Sequence, residues 1–185
     1  MESLDGNQIL VGLTGYAQSG KDAFAGRLIS HHGFVKVAFA DALRSFAYAI
    51  NPQVGVDTYR GLIDSIGYET AKTNYPEVRR LLQAIGTEGV RDHFGQDTWV
   101  EVARAKWGQH HRVVVTDVRF PNEAAAVIEE RGVLYRVERP GVGPLGGHVS
   151  ESHVAAIPAA LVVRNAGTLE DLWETADVLV GGLVT

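Results

Sequence analysis

The sequence contains no cysteine, which excludes disulfide bridges, thiolate zinc sites and cysteine nucleophiles. It has no apolar run long enough to span a membrane, and its first residues lack the apolar core of a secretory signal. We therefore expect a cytoplasmic protein without a membrane partner. Positive charge is also scarce, since 17 Lys and Arg stand against 22 Asp and Glu and give a net charge of −5. This balance argues against a nucleic-acid partner but permits a local phosphate pocket.

What remains is the composition of an ordinary globular domain, with 185 residues of which 45% are hydrophobic. Segments with strand character alternate with amphipathic helical segments, which predicts an α/β fold with a parallel sheet and right-handed crossovers. We expect one domain, 1–185, with five parallel strands and helices on both faces. Ligands bind such folds at the carboxyl ends of the strands. The predicted strands cover about residues 8–14, 35–39, 112–117, 133–137 and 160–163.

The strongest motif lies between the first strand and the first helix and reads Gly15-Tyr16-Ala17-Gln18-Ser19-Gly20-Lys21-Asp22. A glycine loop in that context is typical of a phosphate-binding loop of P-loop NTPases. The two glycines permit unusual backbone angles, the loop N–H groups point inward, and the helix N-terminus adds positive charge. Lys21 supplies a full charge to the outer phosphates. The residues predicted to bind the nucleotide here are Gly15, Ala17, Ser19, Gly20, Lys21, Asp22 and Ala23.

Two acidic residues are candidate metal ligands. Asp22 occupies the position where Ser or Thr usually binds Mg²⁺, and a carboxylate can do the same directly or through water. The alternative is an acid that only stabilises the first turn of its helix. Asp117 ends the third strand and is either a second metal ligand or a capping or ion-paired acid. Arg119 has the same orientation if the strand continues, so it binds phosphate or pairs with Asp117. The seven histidines lack the spacing of a zinc site.

A segment of about 52–110 is predicted to form a helical, substrate-binding insertion over the nucleotide-binding edge of the sheet. Within it, Arg79, Gln83 and Thr87 recur every four residues on a helix, opposite its apolar stripe. A guanidinium and an amide on one face suit the phosphate and the base edge of a nucleotide. The alternative is an ordinary solvated helix face.

Three further places follow predicted strands. Asp41 and Arg44 come after the second strand, and Asp41 is either a helix N-cap or a site residue. A segment rich in Gly and Pro, about 140–153, is either a lid that closes over substrate or a passive surface loop. Asn165 and Gly167 follow the fifth strand, where an adenine ring would rest against the backbone.

Taken together, several segments resemble the bacteriophage-type deoxynucleoside monophosphate kinases. Each segment alone is weak, but their order between residues 8 and 173 is specific, and the block around Asp117 is the most telling. The segments that carry the resemblance are Gly15 to Asp22, Phe39 to Leu43, Arg80 to Glu88, Val115 to Ala124, Arg139 to Gly141, His148 to Glu151 and Asn165 to Leu169.

The resemblance implies a P-loop kinase that transfers the γ-phosphate of ATP, with Mg²⁺, to a deoxynucleoside monophosphate. It implies catalytic roles for Lys21, Arg119, Asp117 and Asp41. The implied substrate-binding residues are Asp41, Arg44, Arg79, Gln83, Thr87, Arg119 and Glu151.

Related kinases are often dimers, so a homodimer is a further expectation, while the choice among monophosphates stays open. One alternative is a P-loop kinase of another small acceptor, such as dephospho-coenzyme A. Another is a non-catalytic nucleotide-binding regulatory module, although the sequence has no Asn-Lys-x-Asp segment for guanine.

Overall fold

The computed structural model describes residues 8–144 and 153–184 and divides into two compact units. The first unit comprises residues up to 38 together with those from 103 onwards. The second unit comprises residues 39–102 and is therefore an insertion in the chain of the first. This insertion begins earlier in the sequence than the segment of about 52–110 that we expected.

Seven strands occur in the described ranges, and five of them form a parallel sheet in the first unit, as predicted. Their order is β2-β5-β1-β6-β7, with every neighbouring pair parallel, while β3 and β4 form an antiparallel hairpin in the second unit. The central strand β1 thus lies between β5 and β6. The bounds are β1 (Ile9–Thr14), β2 (Val35–Val37), β3 (Gln53–Val54), β4 (Asp57–Thr58), β5 (Arg112–Val118), β6 (Val133–Glu138) and β7 (Leu161–Arg164).

The helices agree with the sequence pattern in most places. Gly33 ends the first helix in a left-handed conformation, with φ of 67°, and Pro121 begins the helix after β5. The bounds are α1 (Lys21–His32), α2 (Phe39–Ile50), α3 (Tyr59–Ile66), α4 (Tyr68–Asn74), α5 (Pro76–Gln83), a π-helix (Ala84–Arg91), α6 (Asp92–Phe94), α7 (Thr98–Trp107), α8 (Pro121–Glu129) and α9 (Leu169–Val184).

Two predictions around α2 are wrong. The second strand ends at Val37, and α2 begins at Phe39, so Asp41 lies in the first turn of the helix and is not its N-cap. Helical spacing of apolar residues also predicts a buried stripe on α2, and this stripe, formed by Leu43, Phe46, Ala47 and Ile50, is only partly buried. Ala47 is fully buried, whereas Ile50 is 51% exposed. A short apolar run does not by itself distinguish a strand from the start of a helix.

Helices cover both faces of the parallel sheet, as predicted. On one face, Leu13 of β1 packs in a buried cluster with Phe24 of α1 and Leu172 of α9. On the other face, α8 approaches β1 at Gly12, where an added Cβ would lie 3.2 Å from Val127 and 2.7 Å from Leu134. Gly12 therefore allows the close contact between helix and strand.

An ion-pair cluster fixes α1 against α9. Asp177 of α9 accepts hydrogen bonds from Arg27 at 2.9 and 2.7 Å, and His32 Nε2 lies 2.8 Å from the same carboxylate. The hydrogen bonds from Arg27 and His32 hold the pKa of Asp177 well below its usual range. Because α1 starts directly after the glycine loop, this cluster also anchors the helix on which that loop depends.

The second unit has a small apolar core of its own. Tyr59 and Leu62 of α3 pack with Val78 and Leu82 of α5 and with Ala47 of α2. Burial raises the pKa of Tyr59 to about 12. The start of the predicted helical segment, from 52 to 75, contains α3 and α4 after the short hairpin.

Candidate active site

The glycine loop between β1 and α1 makes a tight turn against the neighbouring strand β6. Gly15 has a φ of 137°, and a Cβ at this position would lie 2.3 Å from the carbonyl oxygen of Val137. Gly20 has a φ of 108°, and Gln18 is also left-handed, with φ of 65°. Glycine is thus required at Gly15 both by the backbone angle and by the close contact.

The ammonium group of Lys21 lies against this loop. Its Nζ donates to the carbonyl of Tyr16 at 2.5 Å and lies 3.5 Å from the hydroxyl of Ser19, which is buried. Lys21 is also the first residue of α1, where free N–H groups and the helix dipole favour an anion. The arrangement is therefore suited to binding phosphate.

A cleft of about 450 Å³ opens between this loop and the carboxyl ends of β6 and β7. It combines two exposed arginines, Arg139 and Arg164, with apolar surface and the phenol ring of Tyr16. Such a lining suits a ligand that has a planar ring and anionic groups. The lining residues are Tyr16, Ser19, Val137, Glu138, Arg139, Pro140, Val142, Arg164 and Ala166. The sequence analysis missed Tyr16 and Arg164 as lining residues.

Asp117 and Arg119 lie at the carboxyl end of β5, the strand beside β1. Thr14, the last residue of β1, pairs in register with Val118. The buried carboxylate of Glu123 accepts hydrogen bonds from the backbone N–H of Arg119 at 2.8 Å and of Phe120 at 3.1 Å. These bonds fix the backbone that carries Arg119 at the end of the sheet where the phosphate loop opens.

The other predicted residues of the first unit have varied positions. Asp22 is exposed in the first turn of α1, and Ala17 and Ala23 are half-buried. Asn165 is buried, and its side chain is directed at the loop, where Nδ2 donates to the carbonyl of Ser19 at 2.9 Å. Gly167 is exposed, and a Cβ there would meet the carboxylate of Asp171. Glu151 and most of the predicted lid lie outside the described residues.

The remaining predicted residues belong to the second unit. Asp41 and Arg44 form an ion pair one helical turn apart, and the guanidinium of Arg44 lies 4.9 Å from the centre of the Tyr68 ring. Arg79 is exposed, and Gln83 is half-buried at the end of α5.

A π-helix follows Gln83 directly and contains Thr87, the last residue of the predicted row. Its hydrogen bonds join residues five apart, and Thr87 is half-buried within it. The carbonyl of Gly86 in this π-helix accepts a hydrogen bond from Trp99 Nε1 at 3.0 Å. A Cβ on Gly86 would lie 2.8 Å from Leu43 of α2, so α2 and α7 both fix the π-helix.

Within residues 8–144 and 153–184, no set of three or more His, Cys, Asp or Glu side chains could hold a metal ion. Every helix in the same ranges is too short or too polar to cross a membrane.

The comparison with known protein families shows to which family the chain belongs. The family model described as deoxynucleotide monophosphate kinase matches residues 54–176. The chain belongs to this family. The match spans most of the second unit and continues through Asp117, Arg119 and Asn165 in the first. It confirms the resemblance that the sequence motifs indicated.

Curated relatives of this kinase family come from viruses. A protein of Acanthamoeba polyphaga mimivirus, provisionally named a deoxynucleotide monophosphate kinase, is 28% identical over 89% of this chain and 92% of its own length. The deoxynucleotide monophosphate kinase of Enterobacteria phage T4 is 29% identical over 52% of this chain. That of Escherichia phage RB69 is 27% identical over 56% of this chain. The matched stretches cover only 42% and 44% of the two phage kinases.

Solved structures support the fold of the kinase. Dephospho-CoA kinase from Campylobacter jejuni has a TM-score of 0.51 and 12% identity, with 96% of this chain and 98% of that chain covered. Shikimate kinase from Acinetobacter baumannii has a TM-score of 0.51 and 11% identity, with 95% and 94% covered. Both share the fold of this chain, which confirms the predicted fold class.

Proposed function

We propose that the protein transfers the γ-phosphate of ATP to a deoxynucleoside 5′-monophosphate and releases ADP and the deoxynucleoside diphosphate. The observation that carries this proposal is the phosphate loop, in which Lys21 lies over the turn at the N-terminus of α1, in a chain of the deoxynucleotide monophosphate kinase family. The loop supports phosphoryl transfer, and the family supports the class of acceptor.

The donor ATP is assigned to the cleft beside the loop. Its phosphates would bind the backbone N–H groups from Gly15 to Lys21, and its base would lie towards Arg139 and Arg164 at the other end of the cleft. A guanidinium stacks well on an aromatic ring. The base therefore has a favourable site without needing many specific hydrogen bonds.

The reaction makes and breaks one bond to phosphorus. An oxygen of the monophosphate attacks the γ-phosphorus, and the bond from that phosphorus to the bridging oxygen of ADP breaks. The protein needs no nucleophile of its own, because catalysis consists of positioning and charge stabilisation. We assign Lys21 and Arg119 to the charge on the transferred group.

Mg²⁺ fits the oxygen ligands near the loop. The exposed carboxylate of Asp22, the half-buried carboxylate of Asp117 and the hydroxyl of Ser19 are hard donors of the kind that Mg²⁺ prefers. When bound, the ion would neutralise phosphate charge.

The acceptor is assigned to residues of the second unit, and Glu151, which lies outside the described residues, stays a predicted substrate contact. Arg44 and Arg79 would bind its phosphate, and Gln83 and Thr87 would contact its base or sugar. Arg44 is suited to this role because Asp41 and Tyr68 already fix the orientation of its guanidinium. Asp41 would then act mainly through Arg44.

A coupled assay of ADP release tests the proposal. Purified protein would be supplied with ATP, Mg²⁺ and, separately, the four deoxynucleoside monophosphates, dephospho-coenzyme A and no acceptor. We expect turnover with at least one monophosphate. ADP release only with dephospho-coenzyme A, or no release above the acceptor-free rate in any mixture, would contradict the proposal.

Trp99→Phe tests the link between the π-helix and the acceptor. The exchange keeps an aromatic ring but removes the hydrogen bond to Gly86, so the π-helix loses one of its supports. We expect the KM for the monophosphate to rise roughly three- to tenfold, with the KM for ATP changed by less than about twofold. Trp173→Phe in α9 is the matched control and should change neither. Equal shifts in both constants for Trp99→Phe would show general destabilisation.

Asp22→Ala tests the proposed metal ligand. Loss of the carboxylate should raise the Mg²⁺ concentration for half-maximal turnover roughly three- to tenfold, and Asp22→Ser should recover part of the loss. Glu170→Ala removes an exposed acid from the first turn of α9 and controls for the helix-dipole effect. An unchanged Mg²⁺ titration in both Asp22 variants would leave Asp22 only its role in the helix.

We also propose that the protein acts in the cytoplasm, where ATP and deoxynucleotides are available, and that it forms a homodimer as related kinases often do. Light scattering after size-exclusion chromatography measures the molecular mass and therefore the oligomeric state directly. A monomer mass at micromolar concentration would contradict it.

A further inference from the structure

Asn165 is a buried polar residue whose side chain acts on a distant part of the chain. It is 9% exposed, and its Nδ2 donates to the carbonyl of Ser19, 146 residues earlier, at 2.9 Å. Its backbone N–H donates to the carbonyl of Glu138 at 2.7 Å, directly beyond the paired ends of β6 and β7. The backbone of Asn165 is therefore fixed to the sheet, and its side chain binds the glycine loop.

The bond to Ser19 determines where the next N–H group points. The peptide between Ser19 and Gly20 is trans and planar, so its C=O and N–H point in opposite directions. Because Asn165 holds the carbonyl on its own side, the N–H of Gly20 is directed away from Asn165. Gly20 has no side chain to obstruct this contact, since a Cβ there would lie only 2.4 Å from Nδ2 of Asn165.

The chain neighbours of Asn165 line the other end of the same cleft. Arg164 and Ala166 flank Asn165 in sequence, and both contribute to the cleft beside Tyr16 and Ser19. One short segment thus supplies part of the proposed base site and, through Asn165, holds the phosphate loop. A change at Asn165 would alter the loop without removing any group that lines the cleft.

We propose that Asn165 is a positioning residue that holds the Ser19–Gly20 peptide so that its N–H faces the donor phosphates. This inference rests on the proposed function, because it assumes that a nucleotide binds in the cleft. Without Asn165 the peptide is free to rotate, and a rotated peptide would present a carbonyl to the phosphates. The expected loss therefore falls on the donor nucleotide and not on the acceptor.

Three variants of the full chain separate positioning from stability. Asn165→Ala removes the hydrogen bond, and Asn165→Asp keeps the size but replaces the donor with a carboxylate facing the carbonyl of Ser19. Thr168→Ala is the control, because Thr168 caps α9 by accepting from the N–H of Asp171 at 3.2 Å and is three residues from Asn165. The control should lower the melting temperature by roughly 2 to 4 °C.

The measurements are the Kd for ADP by calorimetry, the melting temperature, and the KM for ATP and for the monophosphate. We expect the Kd for ADP and the KM for ATP to rise roughly five- to thirtyfold in Asn165→Ala. The increase should be larger in Asn165→Asp. The KM for the monophosphate should stay within about twofold, and Thr168→Ala should change none of these constants.

The outcomes distinguish this inference from the proposed function. If the wild-type protein binds no ADP, the proposed function and this inference both fail. If the wild-type protein binds ADP, and the Asn165 variants bind it as tightly as Thr168→Ala does, the inference alone fails. If Asn165→Ala does not fold, the isosteric Asn165→Asp decides the matter by the same comparison. Equal increases in both KM values would also overturn the positioning role.

Discussion

Replacing Lys21 by methionine should lower kcat roughly 10²- to 10³-fold and leave the melting temperature nearly unchanged. The ammonium group is the full positive charge at the N-terminus of α1, and phosphoryl transfer spreads negative charge over the transferred group. Methionine has a similar length and fits the same half-buried space. The variant therefore removes the charge and keeps the packing.

Single-turnover and steady-state rates of ADP formation, with the acceptor that gives the highest turnover in the panel, measure this effect. Lys36→Met is the matched control, because Lys36 is an exposed lysine of β2 and should retain full activity. If Lys21→Met kept more than about a tenth of the wild-type turnover, the loop would not be the site of phosphoryl transfer.

The fold around the loop was predictable because its signals are local. The apolar run of β1, the glycines at 15 and 20 and the amphipathic α1 are adjacent in sequence, and each predicts its own backbone conformation. The β-branched run of β5 and the proline that begins α8 are equally local. The structure has these elements within one or two residues of the predicted bounds.

The π-helix could not be predicted in this way. Bonding between residues five apart has no residue pattern of its own, so the segment from Ala84 to Arg91 could be predicted only as a continuation of α5. What stabilises it lies outside the segment, in the indole of Trp99 and in the close contact of Gly86 with Leu43. The predicted row of Arg79, Gln83 and Thr87 crosses from α5 into the π-helix and stays a prediction.

The contact made by Asn165 could not be predicted from local sequence either. The motif after β7 indicated a role near the nucleotide, but not that the side chain is directed at the loop. That contact joins residues 146 positions apart, and it depends on how β7 is placed in the sheet. The placement of the insertion over the edge of the sheet is likewise a tertiary property and stays a prediction.

Arg119→Ala should lower kcat/KM roughly 10²- to 10³-fold for every accepted monophosphate alike. Arg119 leaves β5 beside the phosphate loop, and Glu123 fixes its backbone through two N–H groups. A guanidinium held there would bind the transferred phosphate with two parallel hydrogen bonds. Since that phosphate comes from ATP and is the same whichever monophosphate accepts it, preference among bases should not change.

Arg119→Lys and Arg112→Ala complete the test. Lysine keeps the charge but not the planar pair of donors, so it should recover only part of the lost rate. Arg112 is at the opposite end of β5 and donates to the carbonyl of His32 at 2.8 Å, so Arg112→Ala should reduce stability without changing the kinetic constants. If Arg119 served only as an ion-pair partner of Asp117, its variants would behave like Arg112→Ala, with a lower melting temperature and normal kcat/KM. A loss of kcat/KM at an unchanged melting temperature, partly recovered by lysine, is the result that a phosphate-binding Arg119 requires.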